Sequence, residues 1–395
     1  MGKNSRRKKS NRKNIKRNKQ LKPVTIAVRK SNFVSEAGPG CFITRRSDGN
    51  DRDKSPDWMI GWEDVDPEDF GIEDDTESAS VGVPDIALDP EDCTLTICNL
   101  ETYFRVAYVT VFDTTVLGAH GDELTQGTTT DNDGKSMSCI TFIVLCPPCV
   151  FAHLCYLVIP DGNDLSDVRI ESDVSKWQRH PKPSDEHPFR IGFPLQCNGT
   201  TPGTPPKSFL CTQGEDGELT HFFSGNLHAI DFRCPVGTEL LAVADGVIVE
   251  AKDKNTLTGI SVTNLFEWNS ILLQIQNFEE DGGDQINNVG GDGPLFVEFV
   301  HISKSRVKAG DRVKRGQVIG YSGSVGFSPE PHLHFSAFRS SDAEAPTVRV
   351  LFESCNNGKG EGINNQEINS ASSTFLPRAG ERYDANGIVE SLAEL

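Results

Sequence analysis

Two histidines stand one residue apart in the run HLHFSAF, at His332 and His334. The residues around them favour β-structure. In a strand, alternate side chains project to the same face, so both imidazoles point one way while Leu333 and Phe335 turn to the other. Their separation along the strand is about 7 Å. That spacing suits one metal ligand beside one catalytic base. An exposed histidine pair with no metal is the competing reading of an isolated H-x-H. The H-E-x-x-H helix of many zinc proteases is absent from the chain. A hydrolytic site here must therefore take a histidine, not a helical glutamate, as its base. The nearby SGSVG is not a phosphate loop, because no Gly-Lys-Ser/Thr follows it.

The flanking sequence decides between these readings. Upstream lies THFFSGNLHAIDFRCPVGTELLAVADGVIVEAKD, 220–253. Further on lies FVEFVHISKSRVKAGDRVKRGQVIGYSGSVGFSPEPHLHFSAF, 296–338. Together they resemble the lysostaphin-type zinc endopeptidases, the family of LytM-like cell-wall hydrolases. The elements of that pattern occur in order. They are a histidine, an AIDF-like strand, a P-x-G-T turn and an A-x-x-D-G-x-V strand. An aromatic-x-His strand, a V-x-x-G-D-x-V-x-x-G-x-x-I-G hairpin and H-L-H-F follow. The likeness covers roughly 216–350, about a third of the chain. It implies a mainly β fold, with an antiparallel sheet of the duplicated-hybrid-motif kind. It implies one Zn2+ per chain, held by an early histidine, Asp231 and His334. His301 and His332 would lie beside the metal, activating water and stabilising the oxyanion. The implied activity is that of a zinc metalloendopeptidase on peptide bonds, including glycine-containing, peptidoglycan-type cross-links.

The first ligand departs from the pattern. The commonest spacing, H-x-x-x-D, falls on Leu227, which cannot ligate. His228 has the wrong strand parity to point with Asp231. His221, ten residues before Asp231, is the better candidate, by resemblance to members whose histidine sits on a loop. A chain with no competent first ligand would be a degenerate, non-catalytic binding or regulatory module. Asn269 resembles a recurrent family asparagine but reads equally well as a turn residue. Cys146-Pro147-Pro148-Cys149 is a lone C-x-x-C, which reads as a turn with free thiols before it reads as a metal or redox pair. DNDGKS, 131–136, has its glycine too early for a calcium loop.

Other segments must carry and position these residues. Residues 1–30 hold 13 Lys and Arg and no acid, which leaves 26 basic against 57 acidic residues in the remainder. Such an acidic body repels phosphate, so nucleic-acid binding is expected nowhere except through the basic arm. Residues 62–92 carry 13 acids among 31 residues. We therefore read 1–92 as a disordered arm and acidic linker. Residues 93–175 read as a small β-rich domain, 176–215 as a Pro/Gly-rich linker, 216–350 as the peptidase-like domain, and 351–395 as a loose polar tail.

The uncharged stretch 139–159 is long enough to raise a membrane span. Pro147-Pro148 at its centre argues instead for two strands joined as a β-hairpin. Eleven cysteines, an odd number, and no apolar leader favour free thiols and an intracellular over a secreted location. The oligomeric state is open.

Overall fold

The computed structural model describes residues 39–45, 55–70, 83–160, 162–177, 188–198, 207–217, 220–222, 225–276, 294–342, 345–354 and 374–391. Among these the chain forms β-strands and three short 3-10 helices, with no α-helix. The fold is mainly β, and most strand pairs are antiparallel, as the sequence leads one to expect. The basic arm lies outside the described residues.

Ten strands build an N-terminal sandwich. They are β1 (Cys41–Arg45), β2 (Gly61–Asp64), β3 (Ile86–Leu88), β4 (Thr94–Asn99), β5 (Arg105–Phe112), β6 (Thr115–Leu117), β7 (Gly127–Thr130), β8 (Ser136–Cys146), β9 (Val150–Val158) and β10 (Ile170–Lys176). One sheet runs β10-β5-β8-β7, with β1 parallel to β8. The other runs β2-β9-β4-β3, with β6 on β9. Leu95, Ile97 and Leu154 of the second sheet meet Val109, Val111 and Phe142 of the first in one core. The hairpin expected at 139–159 is corrected by this arrangement. β8 and β9 belong to different sheets, and Pro147-Pro148 carries the chain from one to the other. The apolar run has a packing cause. Ile140, Phe142 and Val144 face the inter-sheet core, while Cys139 and Ile143 face a second apolar cluster on the outer side. A strand buried on both faces reads as continuous apolar sequence. No helix of the described residues is long and apolar enough to cross a membrane.

The C-terminal strands are β11 (Phe189–Ile191), β12 (Phe209–Gln213), β13 (Ile230–Arg233), β14 (Glu239–Leu241), β15 (Gly246–Lys252), β16 (Thr258–Gly259), β17 (Ser270–Ile275), β18 (Phe296–Val300), β19 (Lys304–Ser305), β20 (Arg312–Val313), β21 (Val318–Tyr321), β22 (Gly326–Phe327), β23 (His332–Phe338), β24 (Val350–Glu353), β25 (Thr374–Phe375), β26 (Glu381–Asp384) and β27 (Gly387–Ser391). Their main sheet has nine strands in the order β20-β15-β17-β18-β23-β13-β12-β26-β27. Two three-stranded sheets, β14-β21-β19 and β11-β24-β25, complete the layer around a core of Phe232, Phe299, Leu333, Phe335, Leu240, Ile319 and Phe352. Strand alternation sets the faces. Leu333, Phe335 and Ala337 of β23 enter this core, so His332, His334 and Ser336 take the other side.

Composition misleads at three places. Within 1–92, β1, β2 and β3 are strands of the sandwich, because Cys41, Phe42, Trp62 and Ile86 pack on its apolar clusters despite their charged surroundings. Within 176–215, Phe189, Ile191, Phe193, Leu195 and Phe209 are buried in the C-terminal core. Within 351–395, Phe352 and Tyr383 are buried and β26 pairs with β12. In each case a few large apolar residues outweigh a polar average. Nine of the described cysteines, Cys146 and Cys149 among them, carry free thiols.

Candidate metal centre

The sheet register assembles the site. Across β12, β13 and β23, Gln213 stands opposite Asp231, and Asp231 opposite His334. Val300, the last residue of β18, pairs with His334 on the far side. The row is therefore continuous across four strands, and directly opposed residues project to one face. A register shift between Cys211 and Gln213 in β12 aims Gln213 into this row.

His221 arrives from the loop between β12 and β13. Its Nε2 lies 3.3 Å from Asp231 Oδ1 and 3.4 Å from His334 Nδ1. His334 Nδ1 lies 2.9 Å from the same Asp231 oxygen. All three residues are buried or nearly so. Donors about 2.0–2.2 Å from a tetrahedral ion sit about 3.3–3.6 Å apart. Two of the three separations match that edge, so the triad fits a divalent cation. The tautomer fits as well. His221 Nδ1–H donates to the Gly214 carbonyl at 2.8 Å, because a carbonyl can only accept. That leaves Nε2 as the lone-pair atom facing the other two donors.

His301 and His332 flank the triad. Their ring centroids are 4.6 Å apart, and His301 lies 6.1 Å from His334. His332 Nε2 is 3.9 Å from Asp231 Oδ1. Each ring donates Nδ1–H to a backbone carbonyl at 2.7 Å, His301 to Val325 and His332 to Glu330. In its neutral form each ring therefore keeps Nε2 as the acceptor. His301 holds a φ of 64°, a left-handed conformation that costs a non-glycine residue energy. It follows directly on β18, and the turn there swings its ring from the strand row toward Val325.

Burial works against charge on Asp231, yet the imidazoles of His221, His332 and His334 outweigh it and hold the carboxyl well below its ordinary range. Burial pushes His301 well below the usual imidazole value, and His332 and His334 add to the effect. Burial also lowers His334, against the opposing pull of Asp231.

The structure thus brings together all five residues singled out in the sequence: His221, Asp231, His301, His332 and His334. It does not bring in His228. Its Nδ1 lies 2.9 Å from Glu215 Oε2, and Arg349 grips both oxygens of that glutamate at 2.8 Å. Leu227, at the commonest ligand position, is buried as an apolar residue. Asn269 is buried and donates to the carbonyls of Asn255 and Ile302, so it braces the turn that carries His301. Sequence reasoning missed Gln213 and the carbonyls of Gly214, Val325 and Glu330. Backbone acceptors leave no residue signature, and Gln213 lies ahead of every motif.

Residues 225–346 match the model of peptidase family M23. Glycyl-glycine endopeptidase ALE-1 of Staphylococcus capitis is 38% identical over 126 residues, which is 31% of this chain and 28% of that protein. Peptidoglycan DD-endopeptidase ShyA of Vibrio cholerae is 30% identical over 105 residues, 27% of this chain and 18% of that protein. The solved catalytic domain of lysostaphin from Staphylococcus simulans matches at 29% identity over 36% of this chain and 87% of that one, with a TM-score of 0.24. The chain spans less than a third of the length of either curated relative. His221 lies just ahead of the matched residues, and the other four site residues lie within them. The chain carries a peptidase family M23 domain of the lysostaphin, LytM-like type.

Proposed function

We propose that this domain is a zinc-dependent endopeptidase acting on peptidoglycan-type peptides, with glycine-containing cross-links as the first substrates to try. The carrying observation is the convergence of His221 Nε2, Asp231 Oδ1 and His334 Nδ1 beside two further imidazoles. The substrate class rests on the relatives, one a glycyl-glycine endopeptidase and another a peptidoglycan DD-endopeptidase.

His221, Asp231 and His334 would hold the ion, two nitrogens and one carboxylate oxygen, with a fourth position open. When bound, zinc lowers the pKa of its water and polarises the scissile carbonyl. His301, kept neutral by burial, accepts the water proton at Nε2. His301 returns that proton to the leaving amine, and His332, whose Nε2 faces the same space, is placed to relay it. The Nδ1–H bonds to Val325 and Glu330 fix both rings, so no reorganisation is needed during the reaction.

A degenerate, non-catalytic reading drew its force from Leu227. The place of His221 beside Asp231 supports the catalytic reading instead. The test pairs elemental analysis with hydrolysis of oligoglycine peptides and purified peptidoglycan. One zinc per chain and chelator-sensitive cleavage, both lost in His334→Ala, are expected. A folded protein that takes up no zinc and cleaves neither substrate overturns the proposal.

A further inference from the structure

We infer that Gln213 is the positioning residue of the metal centre, holding Asp231 and the His221 loop in one grip. The inference rests on the metal reading above. Gln213 is almost wholly buried, and its amide is used at both ends. Nε2–H donates to Asp231 Oδ2 at 2.9 Å and to Thr220 Oγ1 at 3.0 Å. Oε1 accepts the backbone N–H of Thr220 at 2.8 Å and of His221 at 3.2 Å. One side chain thus touches the outer oxygen of one ligand and the main chain of another.

The need for such a clamp follows from the sequence. In an H-x-x-x-D arrangement, histidine and aspartate would share one short stretch of chain and so one local geometry. Here Leu227 occupies that place, and the histidine is ten residues before Asp231 on a loop. A loop loses its freedom only where something fixes it. The Gly214 carbonyl fixes the ring of His221, and Gln213 fixes its backbone. Donation to Oδ2 also selects which oxygen of Asp231 is left for the other donors, since Oδ1 is the atom facing His221 and His334. Gln213 has the chemistry for both tasks because an amide donates and accepts at once. A carboxylate there would only accept and would face Asp231 with like charge.

The close packing of Gly217 agrees with a fixed amide. A Cβ on Gly217 would stand 2.4 Å from Cγ of Gln213 and 2.9 Å from its Oε1. The backbone of the His221 loop therefore closes over the Gln213 side chain, and glycine makes that approach feasible.

The test measures zinc affinity by competition with a chromophoric chelator, on the full chain, for wild type, Gln213→Met and Gln213→Asn. Methionine fills similar space without the hydrogen bonds, and asparagine keeps an amide one methylene short. Supporting groups of this kind are worth about 10–100-fold in metal affinity. A loss of that size is expected in Gln213→Met, and a smaller one in Gln213→Asn. A folded Gln213→Met that binds zinc within about twofold of wild type overturns the inference. Wild-type protein supplies a second reading that no folding defect can obscure. Zinc should slow hydrogen exchange of the Thr220 and His221 amides at least tenfold, and unchanged exchange in zinc-loaded protein overturns the inference as well. A wild type that takes up no zinc instead defeats the metal reading itself.

Discussion

At the scale of single residues, the site is a competition among imidazoles for one aspartate. His221 Nε2 and His334 Nδ1 both face Asp231 Oδ1, while His228 is committed to Glu215. His221→Ala should abolish zinc uptake by the folded protein, whereas His228→Ala should leave stoichiometry at one, as read by elemental analysis. Removing the buried His228 ring should cost the latter variant about 0.5–3 kcal/mol of stability, although Arg349 keeps both oxygens of Glu215 paired. Two of the site histidines make a pH prediction. His301 and His334 have lowered values in the fold, so the unfolded chain binds more protons than the native one as pH falls below about 6.5. Stability of the metal-free protein should therefore drop between about pH 7 and pH 5. Asp231 has the opposite sign of shift. Its contribution is present above about pH 4 and is lost only as pH falls further. Denaturant midpoints across that range should fall less steeply in His301→Asn, a residue that tolerates the left-handed backbone. An equal slope in both proteins would contradict the assignment.

At the scale of elements, strand parity made much of the site legible. The H-x-H pair announced its shared face, and the AIDF strand announced the face of Asp231, because a period of two allows no other arrangement. The way β8 and β9 part to opposite sheets was not legible, since two apolar runs about a turn look alike whether they pair or separate. Nor was the clamp of Gln213, which depends on a register shift that no local residue signals. The loop that carries Val325 shows what else the elements must supply. Gly323 bridges to His332, and a Cβ there would stand 2.6 Å from both the His301 carbonyl oxygen and the Ser303 nitrogen. Only glycine lets these two backbones approach so closely. Gly323→Ala should force them apart, at about 1–3 kcal/mol. Because Val325, two residues on, holds His301, the variant should lose kcat more than zinc affinity. Parallel measurement of peptide cleavage and chelator competition separates the two. A matched loss of both would place the effect on the metal ligands instead.

At the scale of the molecule, the sandwich is built into the loops around the candidate metal centre. β16 pairs with β7, and β22 with β16, so the sandwich sheet continues into the segment that follows Val325. Ile260, Val262 and Phe327 complete an apolar cluster with Val106, Tyr108, Phe112 and Ile143 on the sandwich's outer face. Phe327 meets Tyr108 edge-on at 5.9 Å. Polar groups cross the same seam. The Val262 amide donates to Thr110 Oγ1 at 2.9 Å, the Thr258 amide to Thr130 Oγ1 at 3.0 Å, and Asn264 Nδ2 to Thr129 Oγ1 at 3.0 Å. Removing residues 83–177 would bare three large apolar side chains and orphan these groups, so the remaining domain should lose solubility. Within the whole chain the seam makes unfolding of the two parts one event. Calorimetry should show a single transition whose calorimetric and van't Hoff enthalpies agree. Phe327→Ala should lower stability by about 3 kcal/mol through the cavity it leaves. It should also loosen the Val325 carbonyl and so the orientation of His301, reducing kcat while zinc stoichiometry stays at one. Two separate transitions, with the later one carrying the zinc-dependent shift, would show instead that the loops around the site stand without the sandwich.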